Sequence, residues 1–257
     1  MRNVLRSLAI AFSMYSRVPV PQVEWNERSM RYTFLFFPAV GLLEGALLLG
    51  AGRILWGWNI PALLRGALLT VFLFLYTGGI HMDGFMDTMD ALGSARPREE
   101  KLQILKDPHT GAFAVLSCVL CCLLIFSSFA GMPSAESLQV PACGMILSRA
   151  LSALFLITVP GKTRKGSAKM FADASARNVT VFVLLLWCAA ASVSILVTGG
   201  LAEGAAALIL AAAVSLWYLK TALQEFGGLT GDTAGWFLTV LETGILVISC
   251  IFSGINL

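Results

Sequence analysis

Charge is scarce in this sequence. Asp, Glu, Lys and Arg make up 13% of its 257 residues and hydrophobic residues 57%, with a mean hydropathy of +0.80. An ordinary soluble domain carries about a quarter charged residues, so there is too little polar sequence here to coat a water-facing surface. Basic residues are missing from particular places as well: none occurs in 132–137, in 199–200 or after position 253. Zinc-ligand spacing is absent too. All six cysteines fall inside apolar runs, and Cys118, Cys121 and Cys122 have no second pair or histidine at the distance a zinc site needs. They read as small apolar filler. Neither an internal repeat nor a low-complexity linker divides the chain, so 1–257 is expected to be one integral-membrane domain.

What the sequence does have is apolar runs. Seven of them, approximately 32–55, 60–79, 111–131, 138–160, 179–198, 201–219 and 234–252, have the roughly 17–25 residues needed to cross about 30 Å of hydrocarbon as helix. The expected fold class is all-α: a polytopic integral membrane helical bundle of about seven transmembrane helices, plus a short N-terminal interfacial helix within 1–30. That N-terminal stretch, LRSLAIAFSMYSRVPVP, is too short to span and runs into Pro19 and Pro21. A cleaved signal peptide is the alternative, but no small-x-small site stands out before the prolines. Lys and Arg gather in the N-terminal segment, in 77–110, in 161–178 and at Lys220. Cytoplasmic loops carry the positive excess, which predicts an N-terminus inside and a C-terminus outside. The net charge of +3 then reflects topology and an anionic ligand, and nucleic acid is not an expected partner.

Against this background TGGIHMDGFMDTMDALGS places a histidine and three aspartates directly after an apolar run. If helix continues there, Asp83, Asp87 and Asp90 stand at i, i+4 and i+7, on one face. Like charges at that spacing repel, and a hard divalent cation such as Mg²⁺, held by one or two carboxylates together with substrate phosphates, relieves the repulsion. An ordinary solvated loop is the plainer reading, but 78–95 holds neither Lys nor Arg to pair with the acids. Gly84, beside Asp83, permits close approach of a ligand to the backbone. Further on, Lys106 and Asp107 stand before the third span, with Asp107 equally a ligand or a helix-terminus residue. GGLTGDTAG (227–235) offers Gly231, Asp232 and Thr233 ahead of the last span, either as an anion and metal site or as an ordinary helix cap. Glu44, Arg65, Arg149 and Glu242 fall inside spans, where ionisable groups mark a polar interior or a pathway. Arg149 with Glu242 fits a structural ion pair as well as it fits substrate contact, and Arg65 is placed to snorkel.

These residues are specific enough to resemble a family. TGGIHMDGFMDTMDALGS followed by LKDPHTGAFAVL is similar to the signature region of the adenosylcobinamide-GDP ribazoletransferases, or cobalamin (5′-phosphate) synthases. AFSMYSRVPVP, FFPAVGLLEGALL, SRALSALF and GGLTGDTAG resemble further family segments in the family's order. The sequence departs from the pattern at Ala91 for glycine, at Pro108 and His109 for Ser-Arg, and at Thr239 for glutamate, so phosphate recognition around His109 would fall to the histidine. The resemblance implies joining of α-ribazole, or its 5′-phosphate, to adenosylcobinamide-GDP with release of GMP, using Mg²⁺, in the cytoplasmic membrane of a bacterium or archaeon. It implies metal ligands among Asp83, Asp87, Asp90 and Asp232, catalytic work by these with Asp107 and His81, and substrate contacts from Gly84, Lys106, His109, Arg149, Arg164, Gly231, Thr233 and Glu242. His81 is the natural general base. It lies about 200° from Asp83 on an ideal helix, so it joins the acids only if the backbone there is not helical. Membrane lipid is an expected contact, and a homo-oligomer is left open. Three rivals remain: a CDP-alcohol phosphotransferase would need arginine near Asp87, an intramembrane prenyltransferase would need a second aspartate motif, and a secondary transporter would use Glu44, Arg149 and Glu242 as an ion path.

Overall fold

The computed structural model describes residues 2–159 and 166–255. All regular elements among them are helical: α1 Arg2–Tyr15, α2 Glu27–Met30, α3 Thr33–Gly57, α4 Ala62–Thr77, α5 Ile80–Gly93, α6 Arg98–Ile104, α7 Ala112–Gly131, a 3-10 turn Ala135–Leu138, α8 Gln139–Thr158, α9 Gly166–Ala174, α10 Arg177–Glu225 and α11 Gly231–Ile255. α8 is the central helix, packed by α3, α10 and α11. α10 by contrast leaves Val197, Leu201, Ile209 and Leu216 exposed. Apolar exposure on that scale belongs against lipid.

Three ionisable side chains pin the centre. Arg149 on α8 is fully buried and pairs with Glu44 of α3 and, at 2.8 Å, with Glu242 of α11. Ser148 donates to the same Glu242 carboxylate at 2.5 Å. With carboxylates on both sides, Arg149 forms the ion pair with Glu242 that the sequence allowed for. Arg65 does more than snorkel: it is buried, donates to the carbonyls of Ile60 and Met132 and lies over the Trp56 ring at 4.0 Å. The six cysteines are free.

Of the seven expected spans, five helices are long and apolar enough to cross, and α4 with α5 makes a sixth if the pair is one span. α4 alone, at 16 residues, reaches about 24 Å. α10 enters that count once, although its 49 residues are broken at Gly200 (φ 65°, ψ −173°). A straight helix of that length would run about 73 Å. Instead, the Cβ position of Gly204 lies 2.9 Å from Leu196 Cα, residues that a continuous helix would hold about 12 Å apart. The chain therefore folds back here, in agreement with the expected break between 179–198 and 201–219.

Candidate active site

The site begins at a bend. Gly78 (φ 65°) and Gly79 (φ 80°) both adopt the left-handed backbone, which side chains with a Cβ resist, and α5 turns 92° away from α4. We take α5, with its aspartates, to lie outside the membrane-crossing segments. Its His81, Gly84, Phe85, Thr88 and Ala91 are buried against α7 and α11. Asp83 is exposed and Asp87 and Asp90 are half-exposed, so the three aspartates share the outer strip that their spacing predicts.

A fourth carboxylate comes from α11. A Cβ on Gly84 would stand 2.8 Å from the Asp232 carbonyl oxygen and 2.9 Å from its Cα, and a Cβ on Gly235 would stand 3.0 Å from the His81 carbonyl oxygen. The two backbones touch because both positions are glycine, and Thr239 adds a 3.2 Å hydrogen bond to the His81 carbonyl. The cap of α11 is a reciprocal pair: the Thr230 amide donates to Thr233 Oγ1 at 2.9 Å and the Thr233 amide to Thr230 Oγ1 at 3.2 Å. Thr233, expected among the substrate contacts, is engaged in capping and buried, and Asp232 is left free of the capping role. Gly231 is exposed beside it.

Among the described residues, none of Asp83, Asp87, Asp90 and Asp232 is in an ion pair. Burial, followed by the negative charges of Asp83, Asp232 and Asp90, pushes the Asp87 carboxyl up to about 6. An all-oxygen, mutually repelling donor set fits a hard divalent cation. No group of three or more His, Cys, Asp or Glu among the described residues is arranged to enclose a metal, so the fit is to an ion held by one or two carboxylates and completed by water and substrate phosphate. Asp90 is turned partly to another use: its carboxylate packs on Gly111 and accepts from the Ala114 amide at 3.4 Å, at the start of α7.

The remaining candidates separate. Asp107 is exposed and bonded to His109, through Nδ1 at 2.7 Å and the amide at 3.0 Å, contacts that hold its carboxyl below the usual range. Lys106 is exposed beside it. Arg164 lies outside the described residues. Arg149 and Glu242 belong to the central ion cluster. His81 is helical and buried, facing Tyr15 and Phe37 with ring centroids at 6.4 and 6.1 Å. It does not share the outer strip, yet it lines one cavity with Asp83 and Asp232.

Some residues escaped the sequence reading. Arg17, counted only for topology, has its guanidinium packed on the Gly78 bend. Lys101 pairs with Glu225, and Arg98 donates to the Gln224 carbonyl at 2.6 Å, docking α6 on the end of α10. Ser152, one turn beyond Ser148 on α8, is fully buried with no partner for its hydroxyl among the described residues. The repeat of serine at i and i+4 beside an intramembrane arginine was the signal for it.

The comparisons with known proteins give the family. The family model described as cobalamin-5-phosphate synthase matches residues 7–250. An adenosylcobinamide-GDP ribazoletransferase of Lachnoclostridium phytofermentans is 37% identical over 93% of this chain and 90% of its own. Relatives of the same name from Clostridium botulinum and Pseudomonas fluorescens are each 36% identical, covering 98% and 93% of this chain and 100% and 96% of their own. No solved structure matches the chain. With the match running through the acidic helix, the central arginine and the glycine-rich start of α11, the chain belongs to the cobalamin-5-phosphate synthase family.

Proposed function

We propose that this chain performs the reaction for which its relatives are named at the strip formed by α5 and the start of α11. A hydroxyl of the ribazole, or of its 5′-phosphate, attacks the phosphorus bonded to the cobinamide. A new P–O bond forms, the bond to GMP breaks, and the hydroxyl proton is released. Such a reaction needs an aligned nucleophile and neutralisation of charge on the transferring and leaving groups. A bound Mg²⁺ would supply that neutralisation. One or two of Asp83, Asp87 and Asp232 would hold the ion, with Asp90 at the edge of the set and water and substrate phosphate completing the shell. The exposed Gly231, without a side chain, lets the diphosphate approach the backbone, whereas Gly84 is buried against Asp232 and serves the contact between the two helices. Lys106, His109 and Arg164, from the basic segments, attract the GDP part.

One observation carries this reading: four carboxylates brought together from two helices in backbone contact, with Asp87 pushed up by burial and by its neighbours and no basic partner among the described residues. The transporter reading is weaker, because Glu44 and Glu242 are both committed to Arg149 in a buried cluster. Release of GMP by purified protein in detergent, requiring adenosylcobinamide-GDP, α-ribazole and Mg²⁺ together, tests the proposal; release without ribazole, or undiminished release in EDTA, contradicts it. The basic segments further support an N-terminus and site on the cytoplasmic side of the membrane.

A further inference from the structure

We infer that the cavity beneath the acidic strip is the subsite for the aromatic base of the nucleoside substrate. The cavity, ≈ 110 Å³, is bordered by exposed Asp83 and Gly231 and half-exposed Asp232, and it is floored by buried Phe37, Ser152 and Leu238. It therefore opens at the reactive carboxylates and runs inward. On the same measure about 10–15 Å³ holds a water, so this space suits a small ring system. Its side wall is aromatic, with Tyr15 and Phe37 in contact at 4.2 Å between centroids and His81 beside both.

Two buried polar atoms on residues lining this cavity lack a partner among the described residues: His81 Nε2, on a residue 8% exposed, and Ser152 Oγ, on one 0% exposed. Leaving a buried polar group unpaired is costly, which points to a ligand atom that satisfies them. The benzimidazole of a ribazole has one ring nitrogen on the ribose and the other free as an acceptor. The Ser152 hydroxyl donates to such an atom, as does His81 Nε2 when it carries the ring proton. Guanine, the other base in the reaction, presents several donors and acceptors on its edges, and this mostly apolar floor would leave most of them unpaired. Seating the benzimidazole here brings the attached ribose to the mouth, beside Asp83 and Asp232.

This subsite rests on the proposed reaction, but binding tests it separately. Calorimetric titration of α-ribazole into the purified protein in detergent, without the second substrate, is compared for wild type, Ser152→Ala and Ser152→Leu. Removing one buried donor is expected to weaken α-ribazole binding by about 3- to 10-fold, and filling the floor with leucine to abolish it. Adenosylcobinamide-GDP binding should stay unchanged in both, and the thermal midpoint of Ser152→Ala should stay near wild type. If Ser152→Leu does not fold, Ser152→Ala decides. Unchanged α-ribazole affinity in Ser152→Ala, or weakened adenosylcobinamide-GDP binding instead, overturns the assignment. Ser152-dependent ribazole binding by a protein that releases no GMP would leave the subsite standing and refute the reaction.

Discussion

Gly84 of α5 and Asp232 of α11 are in backbone contact, so close that a single methyl on Gly84 would stand 2.8 Å from the Asp232 carbonyl oxygen. This contact sets the fourth carboxylate against the other three. Gly84→Ala must push the helices apart, and overpacking of this kind costs about 1–3 kcal/mol. The expected result is a lower thermal midpoint in detergent together with a loss of GMP release larger than the loss of folded protein. Wild-type turnover by Gly84→Ala would mean that the spacing of Asp232 from α5 is not used.

Asp87 separates a functional from a structural role for the strip. Its carboxyl is raised to about 6 by burial and by Asp83, Asp232 and Asp90, and a raised carboxyl disfavours the charged folded form above that pH. At pH 7.5 without divalent cation, Asp87→Asn should therefore be at least as heat-stable as wild type, while turnover falls by about 10²-fold or more. A clear loss of stability in the metal-free variant would identify Asp87 as a structural residue.

The start of α11 predicts opposite phenotypes two residues apart. Thr230 caps the helix with Thr233, so Thr230→Ala should cost about 1 kcal/mol of stability and leave most of the activity. Asp232→Ser should do the reverse, with severe loss of GMP release and an unchanged thermal midpoint. Retained activity in Asp232→Ser would remove it from the site.

Arg149 is the sole basic partner of Glu44 and Glu242 among the described residues. Removing one member of a buried ion pair typically costs about 3–5 kcal/mol. Arg149→Met should accordingly fail to accumulate as folded protein, and Arg149→Lys, without the planar fork, should restore it only partly. Normal melting of Arg149→Met would show that the cluster is not what holds α3, α8 and α11 together.

The acid strip was legible because helix periodicity alone places Asp83, Asp87 and Asp90 on one face, and the apolar runs because hydrocarbon thickness fixes their length. The Gly200 reversal was legible from the same length argument. Less so was His81: the helix starts at Ile80 and so already includes it, which a role among the outer acids would not allow, and whether its ring meets solvent or the cavity depends on Tyr15 and Phe37, far away in sequence. Thr230 looked like loop, since GGLTGDTAG contains several residues able to cap and only the first helical hydrogen bond selects one. Ser152 carried no charge to mark it, and its significance comes from a cavity assembled by several helices.

The central claim is that α5 and the start of α11 together hold a divalent cation whose shell is completed by the diphosphate substrate. Mn²⁺ titration followed by electron paramagnetic resonance, with and without adenosylcobinamide-GDP, on wild type and Asp87→Asn, measures this directly. The account predicts that the substrate tightens Mn²⁺ binding to the wild type by about tenfold or more, a coupling of about 1.4 kcal/mol, and that Asp87→Asn loses this tightening. Equal Mn²⁺ affinity with and without substrate in the wild type, or the same tightening in Asp87→Asn, would contradict it.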